Sequence, residues 1–160
     1  MENILPYGKH YIDQDDIDAV TKVLKFQNLT QGEEVTKFEN SIAEYVGAKH
    51  AVSVSSWTSG LHLSCLALGI KKDDYVVTSP ITFVATSNAV IYCQGKPIFC
   101  DIDHKTINLC PNRLEDLVKK HKVKAVIPVH FSGLSCEMEA IQELSVKYGF
   151  KILEDAAHAL

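Results

Sequence analysis

Apolar positions in the first third of the chain recur at helical spacing. Asp13 stands where a helix N-cap would, and Ile17, Val20 and Leu24 follow on one face. Gln27 to Gly32 breaks the pattern. Val35, Phe38, Ile42 and Tyr45 then resume it, and Gly47 supplies a stop. Residues 1 to 12, with Pro6 and Gly8, read as an irregular arm. Beyond residue 50 the pattern changes to short apolar runs alternating with helical segments. The runs are Ala51–Val54, Tyr75–Thr78, Pro97–Cys100, Ala125–Val129 and Lys151–Leu153. They are rich in Val and Ile, and the middle ones are apolar on both faces, as buried parallel strands are. Helix candidates fill the intervals at about 58–69, 84–94, 113–121 and 137–148. The alternation predicts an α/β fold with a mostly parallel central sheet flanked by helices.

The polar clusters fall at one end of those runs. Ser55-Ser56-Trp57-Thr58-Ser59-Gly60 follows the first, Ser79-Pro80-Ile81-Thr82-Phe83 the second, and Asp101 and Asp103 the third. His130 ends the fourth, and Glu154-Asp155-Ala156-Ala157-His158 follows the fifth. All lie at the carboxyl ends of the expected strands, the edge at which open α/β sheets bind ligands.

Each cluster also has a plain reading. Ser55 to Gly60 places hydroxyls and a glycine before a helix, where free backbone N–H groups suit a phosphate; on local grounds alone an ordinary Ser/Thr N-cap is the commoner explanation. Neither GxxxxGK[ST] nor GxGxxG is present. Asp155 follows an apolar run, so its carboxylate wants a cationic or N–H partner such as a protonated pyridine nitrogen, or it caps the next turn. Phe83 at the ligand edge suits stacking on a flat ring, or core. His158 is a ligand contact or a structural histidine. A metal site is poorly supported, because there is no HExxH and Asp101, Asp103 and His104 sit in a turn.

Composition narrows the class. The 160 residues are 46% hydrophobic and 22% charged, with a net charge of −4, enough apolar content for a real core. That charge gives no reason to expect nucleic acid or an anionic membrane as partner. The five cysteines form no CxxC pair, and Cys65, Cys93 and Cys100 lie in apolar stretches, as reduced thiols of a cytoplasmic protein do. The first residues carry neither a basic nor an apolar signal region, and no run nears the length of a membrane span.

The ordered segments "LTQGEEVTKFE", "VSSWTSGLH", "TSPITFVAT", "DIDHKTINLCP", "PVHFSG" and "EDAAHAL" together resemble the DegT/DnrJ/EryC1/StrS family of pyridoxal 5′-phosphate (PLP) sugar aminotransferases. The resemblance runs from Pro6 to Leu160. "PYG", "LTQG", "SPITFVAT" and "NLCP" look most like its pseudaminic-acid branch. It implies the large-domain portion of the type I PLP aminotransferase fold. Residues 1–32 are then an N-terminal arm and first helix, and 33–160 the front part of the PLP-binding large domain, with the C-terminal small domain absent. It implies transfer of an amino group from glutamate to C4 of a UDP-linked 4-keto-6-deoxy-N-acetyl sugar, in a homodimer.

Roles carry over by position. Thr58 and Ser59 match the family's phosphate-binding pair, Phe83 the aromatic on the pyridine ring, Asp155 the carboxylate at the ring nitrogen, and His158 the residue beside the ring. Tyr7 and Gln27, Asn28, Leu29 and Thr30 match segments lining the nucleotide-sugar pocket. Two departures stand out. Trp57 replaces a small residue, so the indole is expected to narrow the substrate or cofactor pocket. The family's Schiff-base lysine falls roughly thirty residues after EDAAHA, beyond Leu160, and neither Lys147 nor Lys151 occupies that position; no catalytic residue is therefore expected within these 160 residues. Three rivals stay open: a PLP-dependent sugar dehydratase of the same family, a non-catalytic remnant or binding module, and a nicotinamide-dependent oxidoreductase, which should carry GxGxxG where this chain has SSWTSG.

Overall fold

The computed structural model describes residues 8–160. They form two units, one ending at Ser53 and the other spanning Val54–Leu160.

The first unit holds helices α1 (Gln14–Phe26) and α2 (Glu33–Tyr45). The capping box starting α1 is reciprocal: Asp13 Oδ1 accepts from the amides of Asp15 and Asp16, and Asp16 Oδ2 accepts from the amide of Asp13. Gly47, in the left-handed region at φ +68°, follows the second helix, as expected of a stop. Neither helix buries a residue, and their apolar stripes lie open.

The run Ala51–Val54 is not a strand, contrary to its composition. A strand exists only through a ladder partner, and the Ser53 amide donates instead to Glu39 Oε1 at 2.8 Å. Val52 is 80% exposed, so the apolar run is not covered either.

The second unit is a three-layer sandwich. Its elements in order are α3 (Trp57–Ala67), β1 (Tyr75–Thr78), α4 (Ala85–Tyr92), β2 (Lys96–Phe99), α5 (Pro111–Lys120), β3 (Val123–Ile127), α6 (Met138–Tyr148) and β4 (Lys151–Ile152). The strands are all parallel, in the order β2-β1-β3-β4. The period of two along the strands separates two cores, with one irregularity where the β1–β3 register shifts between Val123 and Ala125. Val76, Ala125 and Ile127 face α3 and α4, against Leu61, Cys65, Ala89 and Val90. Val77, Val123 and Val126 face the other way, against Leu114 and Val118 of α5 and Ile141 of α6. Both faces of the sheet are covered, which explains why its middle strands read as continuous apolar runs.

Local chemistry sets the helix ends. Ser56 caps α3 by accepting the Ser59 amide at 3.2 Å. Pro111 opens α5 at a position whose N–H would have no partner. Gly149, at φ +75°, ends α6. Ile107, a β-branched residue at φ +63°, holds a strained turn before Asn108.

The chain leaves β1 for β2 on one side and returns as β3 on the other. The order therefore reverses between β1 and β3, and a crevice opens outside the carboxyl ends of those two strands.

Candidate functional site

A cavity of about 330 Å³ lies at that reversal. Its walls come from the start of α3 (Trp57, Thr58, Leu61), the turn after β1 and start of α4 (Ile81 to Phe83, Ala85, Thr86), the extension of β3 (Val129 to Phe131) and the segment after β4 (Asp155, Ala157, His158). Most of the lining is apolar, with a few convergent polar groups, as small-molecule sites are built.

Asp155 is the centre of the polar set and only 4% exposed. Its backbone extends the sheet edge: its amide donates to the Pro128 carbonyl at 2.9 Å, and its carbonyl accepts from the His130 amide at 3.1 Å. The indole Nε1–H of Trp57 donates to Oδ1 at 2.6 Å, and the Thr86 hydroxyl donates to Oδ2 at 2.7 Å. A hydroxyl has one proton. Two acceptors face it, the Phe83 carbonyl at 3.1 Å and Asp155 Oδ2 at 2.7 Å; the shorter bond to the carboxylate takes the proton, and the neighbouring Thr82 hydroxyl, 2.8 Å away, then donates to Thr86. The indole thus does more than narrow the cavity: it engages the carboxylate.

Of the residues singled out in the sequence, Trp57, Thr58, Phe83, Asp155 and His158 come together around this one cavity. Phe83 is 74% exposed at its rim. Ser59 does not line it. Its amide caps onto Ser56 Oγ, and its hydroxyl lies within hydrogen-bond reach of the hydroxyls of Ser55 and Ser56. The amides of Trp57 and Thr58 stand in the first turn of α3, ahead of the helix's own ladder. Gln27 ends α1 in the other unit, with Nε2 donating to Glu34 Oε1 at 3.4 Å, and Asn28, Leu29 and Thr30 follow in the bend before α2. Tyr7 lies outside the described residues.

Three residues that build this site carry no individual role in the sequence pattern, although His130 falls at the expected ligand edge. Thr86 sits inside the quoted "TSPITFVAT", and nothing in the sequence of α4, which also carries Ser87 and Asn88, sets its hydroxyl apart. His130, 5% exposed, lines the cavity. Its Nδ1 accepts the Cys136 amide at 3.1 Å, so the proton sits on Nε2, which donates to Glu154 Oε2 at 2.9 Å. Glu154 is thus directed away from the cavity, as the alternation from Asp155 requires, yet it touches the site through His130. Asn108 ties the turn after β2 to the segment after His130. Its Nδ2 donates to the carbonyls of Leu134 and Ser135 at 2.9 and 3.1 Å, and its Oδ1 accepts the Phe131 amide at 3.0 Å. Burial pushes the Cys136 thiol up to about 11. It stays protonated at neutral pH, donates to the Val129 carbonyl at 3.2 Å, and is no nucleophile.

The geometry fits a flat, phosphorylated, cationic heteroaromatic ring: amides at a helix start for an anion, an aromatic rim, and a buried carboxylate already held by two donors.

Known proteins share this sequence and fold. The spore coat polysaccharide biosynthesis protein SpsC of Bacillus subtilis is 45% identical over 158 residues, 99% of this chain and 40% of that protein. The UDP-4-amino-4,6-dideoxy-N-acetyl-beta-L-altrosamine transaminase of Campylobacter jejuni is 43% identical over 159 residues, 98% of this chain and 42% of that protein. The chain therefore spans roughly two fifths of the length of these relatives. Among solved structures, Helicobacter pylori PseC, described as an aminotransferase involved in the biosynthesis of pseudoaminic acid, superposes with a TM-score of 0.88 at 33% identity, covering 97% of this chain and 42% of PseC. The ntda structure from Bacillus subtilis, with bound cofactor PMP, gives 0.87 at 29%, covering 93% and 35%. The aminotransferases of this group are PLP-dependent and of type I fold. The profile of the DegT/DnrJ/EryC1/StrS aminotransferase family matches residues 10–160, and the chain belongs to that family.

Proposed function

We propose that this chain supplies the cofactor-binding part of a sugar aminotransferase that moves an amino group from glutamate to C4 of a UDP-linked 4-keto-6-deoxy-N-acetyl sugar, in pseudaminic-acid-type nucleotide-sugar biosynthesis. The observation that carries this reading is Asp155, buried at the floor of a cavity at the sheet's reversal point and held by two donors. PLP bound there supplies an electron sink for bonds at the carbon bearing the amine.

The chain's own residues have the following work in this reading. The first-turn amides of α3 and the Thr58 hydroxyl hold the phosphate, with Ser59 securing the turn from behind. Phe83 covers one face of the ring, and His158 stands beside it. Asp155 accepts the ring N–H and so favours the protonated, electron-withdrawing form of the ring. Tyr7 and Gln27 to Thr30 are assigned to the nucleotide-sugar end on the family resemblance, whereas Trp57 borders the ring pocket beside Asp155. Residues 1–32 act as arm and first helix, and 33–160 as the front of the large domain. The working enzyme is read as a cytoplasmic homodimer.

The covalent anchor is not assigned to Lys147 or Lys151. Lys147 donates to Glu115 Oε1 at 2.8 Å on the α5–α6 surface, far from this use. The 160-residue chain is therefore expected to bind the cofactor without a lysine-linked adduct and to be inactive alone. Mixing it with PLP, reducing with borohydride and taking an intact mass tests this: retained, dialysable cofactor with an unmodified chain is expected. A single modified lysine, or no retention of PLP before reduction, contradicts the proposal.

A further inference from the structure

We infer that Trp57 is a positioning residue: its indole N–H and the Thr86 hydroxyl together clamp the Asp155 carboxylate, leaving a free lone pair aimed at a protonated ring nitrogen in the cavity. The inference rests on the proposed cofactor only for the identity of that ring.

The case begins with what Asp155 needs. A buried carboxylate costs free energy unless donors satisfy it. Main-chain bonds fix its backbone at the sheet edge, but the side chain can still rotate. Two short bonds, at 2.6 and 2.7 Å, stop that rotation by holding one oxygen each. Bonds to a charged acceptor are shorter and stronger than neutral ones. The donors arrive from 98 and 69 residues away in the chain, from the first turns of two helices packed on the same face of the sheet.

Trp57 can reach because it is the first residue of α3. Side chains on a helix lean toward its N-terminus, so a long one there overhangs the carboxyl edge of the sheet. Its N–H only donates, which rules out competition for the ligand's proton. A small residue at this position would leave Oδ1 with the Ala157 amide at 3.4 Å, a long bond. A carboxylate offers about four acceptor positions. The indole and the hydroxyl take two, and the ligand's N–H takes another.

The test has two arms. Trp57 is the one tryptophan of the chain, so a nitrogen-labelled sample gives one indole signal. In ligand-free protein that N–H is expected downfield and slow to exchange. Asp155→Ala should move it upfield and speed its exchange at least about tenfold, the equivalent of about 1.4 kcal/mol. An indole signal that ignores Asp155→Ala overturns the clamp, whatever binds in the cavity.

The second arm titrates pyridoxamine 5′-phosphate, which needs no lysine. Replacing Trp57 by a benzothienyl analogue, which keeps the bicyclic shape and lacks the N–H, should weaken binding at least about tenfold. In the Asp155→Ala background the same replacement should change affinity less than about twofold, because the indole acts only through that carboxylate. A role confined to packing would give equal losses in both backgrounds and overturn the inference, as would tighter binding by the analogue. If the native chain ignores pyridoxamine 5′-phosphate while the indole signal responds to Asp155, the clamp stands and the cofactor reading falls.

Discussion

Replacing Asn108 perturbs the cavity wall without touching the cavity. The side chain is 3% exposed and makes three hydrogen bonds, all to the main chain of Phe131, Leu134 and Ser135. At about 1 kcal/mol each, Asn108→Ala should cost about 2–4 kcal/mol. Asn108→Asp is the sharper case. The aspartate keeps an acceptor for the Phe131 amide but turns a charged oxygen toward two carbonyls. It should be less stable than the alanine variant at neutral pH by about 1–3 kcal/mol, the penalty for an unsatisfied buried charge. The sign of its pH dependence follows. Burial and the two carbonyls raise the folded-state pKa of the new carboxyl above its unfolded value of about 3.9. Its relative stability is then greatest below about 3.9 and is lost as pH rises through the folded value. The gap to alanine should therefore close as pH falls toward about 4. Urea unfolding of both variants from neutral to mildly acid pH, read as midpoint and slope, measures this. An aspartate variant as stable as alanine at neutral pH, or a gap that widens in acid, refutes the assignment of donors and acceptors around Asn108.

Three further outcomes follow from the same contacts. Thr86→Val removes a donor to Asp155 Oδ2 and should destabilise by about 1.5–3 kcal/mol, with Thr86→Ser close to native; thermal unfolding that ranks serine below valine contradicts the bond. Gly133→Ala should loosen the 156–159 turn, because the residue has φ +85° and a Cβ there would stand 3.0 Å from the His158 carbonyl; unchanged amide exchange at Ala159 contradicts this. Glu115, which accepts from Lys147, Tyr148 and Lys119, has its carboxyl lowered to about 2, chiefly by the Lys147 bond. A depressed pKa contributes stability present above about 4.5 and lost as pH falls toward about 2, so Glu115→Gln should flatten the acid limb of a stability profile; an unchanged limb refutes it.

Much of this was legible in the sequence. Strand β1 matches the run Tyr75–Thr78, and the other three strands lie within two residues of their runs; burial on both faces gives the central β1 and β3 a strong apolar signal, while the edge strands β2 and β4 are only partly covered. Asp155, Thr58, Phe83 and His158 could be grouped because each follows an expected strand or opens a helix at one edge. Ala51–Val54 misled because composition does not reveal whether a ladder partner is present. Thr86, Asn108 and the His130–Glu154 pair were missed for a related reason. Their importance lies in long-range partners, between 23 and 69 residues away, which no local pattern encodes. Trp57 shows the other limit: the sequence marked it as a departure, but only the fold shows the direction of its N–H.

The central claim is that the cavity at the sheet's reversal binds a phosphorylated pyridine ring through Asp155. Calorimetric titration of pyridoxamine 5′-phosphate into the native chain and into Asp155→Ala tests it most directly, with circular dichroism to verify folding. Removing one partner of a buried charged pair costs about 3–5 kcal/mol. The account therefore predicts saturable binding by the native chain and an affinity at least about a hundredfold lower in the variant, the equivalent of about 2.7 kcal/mol. No binding by the native chain, or a folded Asp155→Ala variant that binds as tightly, would contradict it.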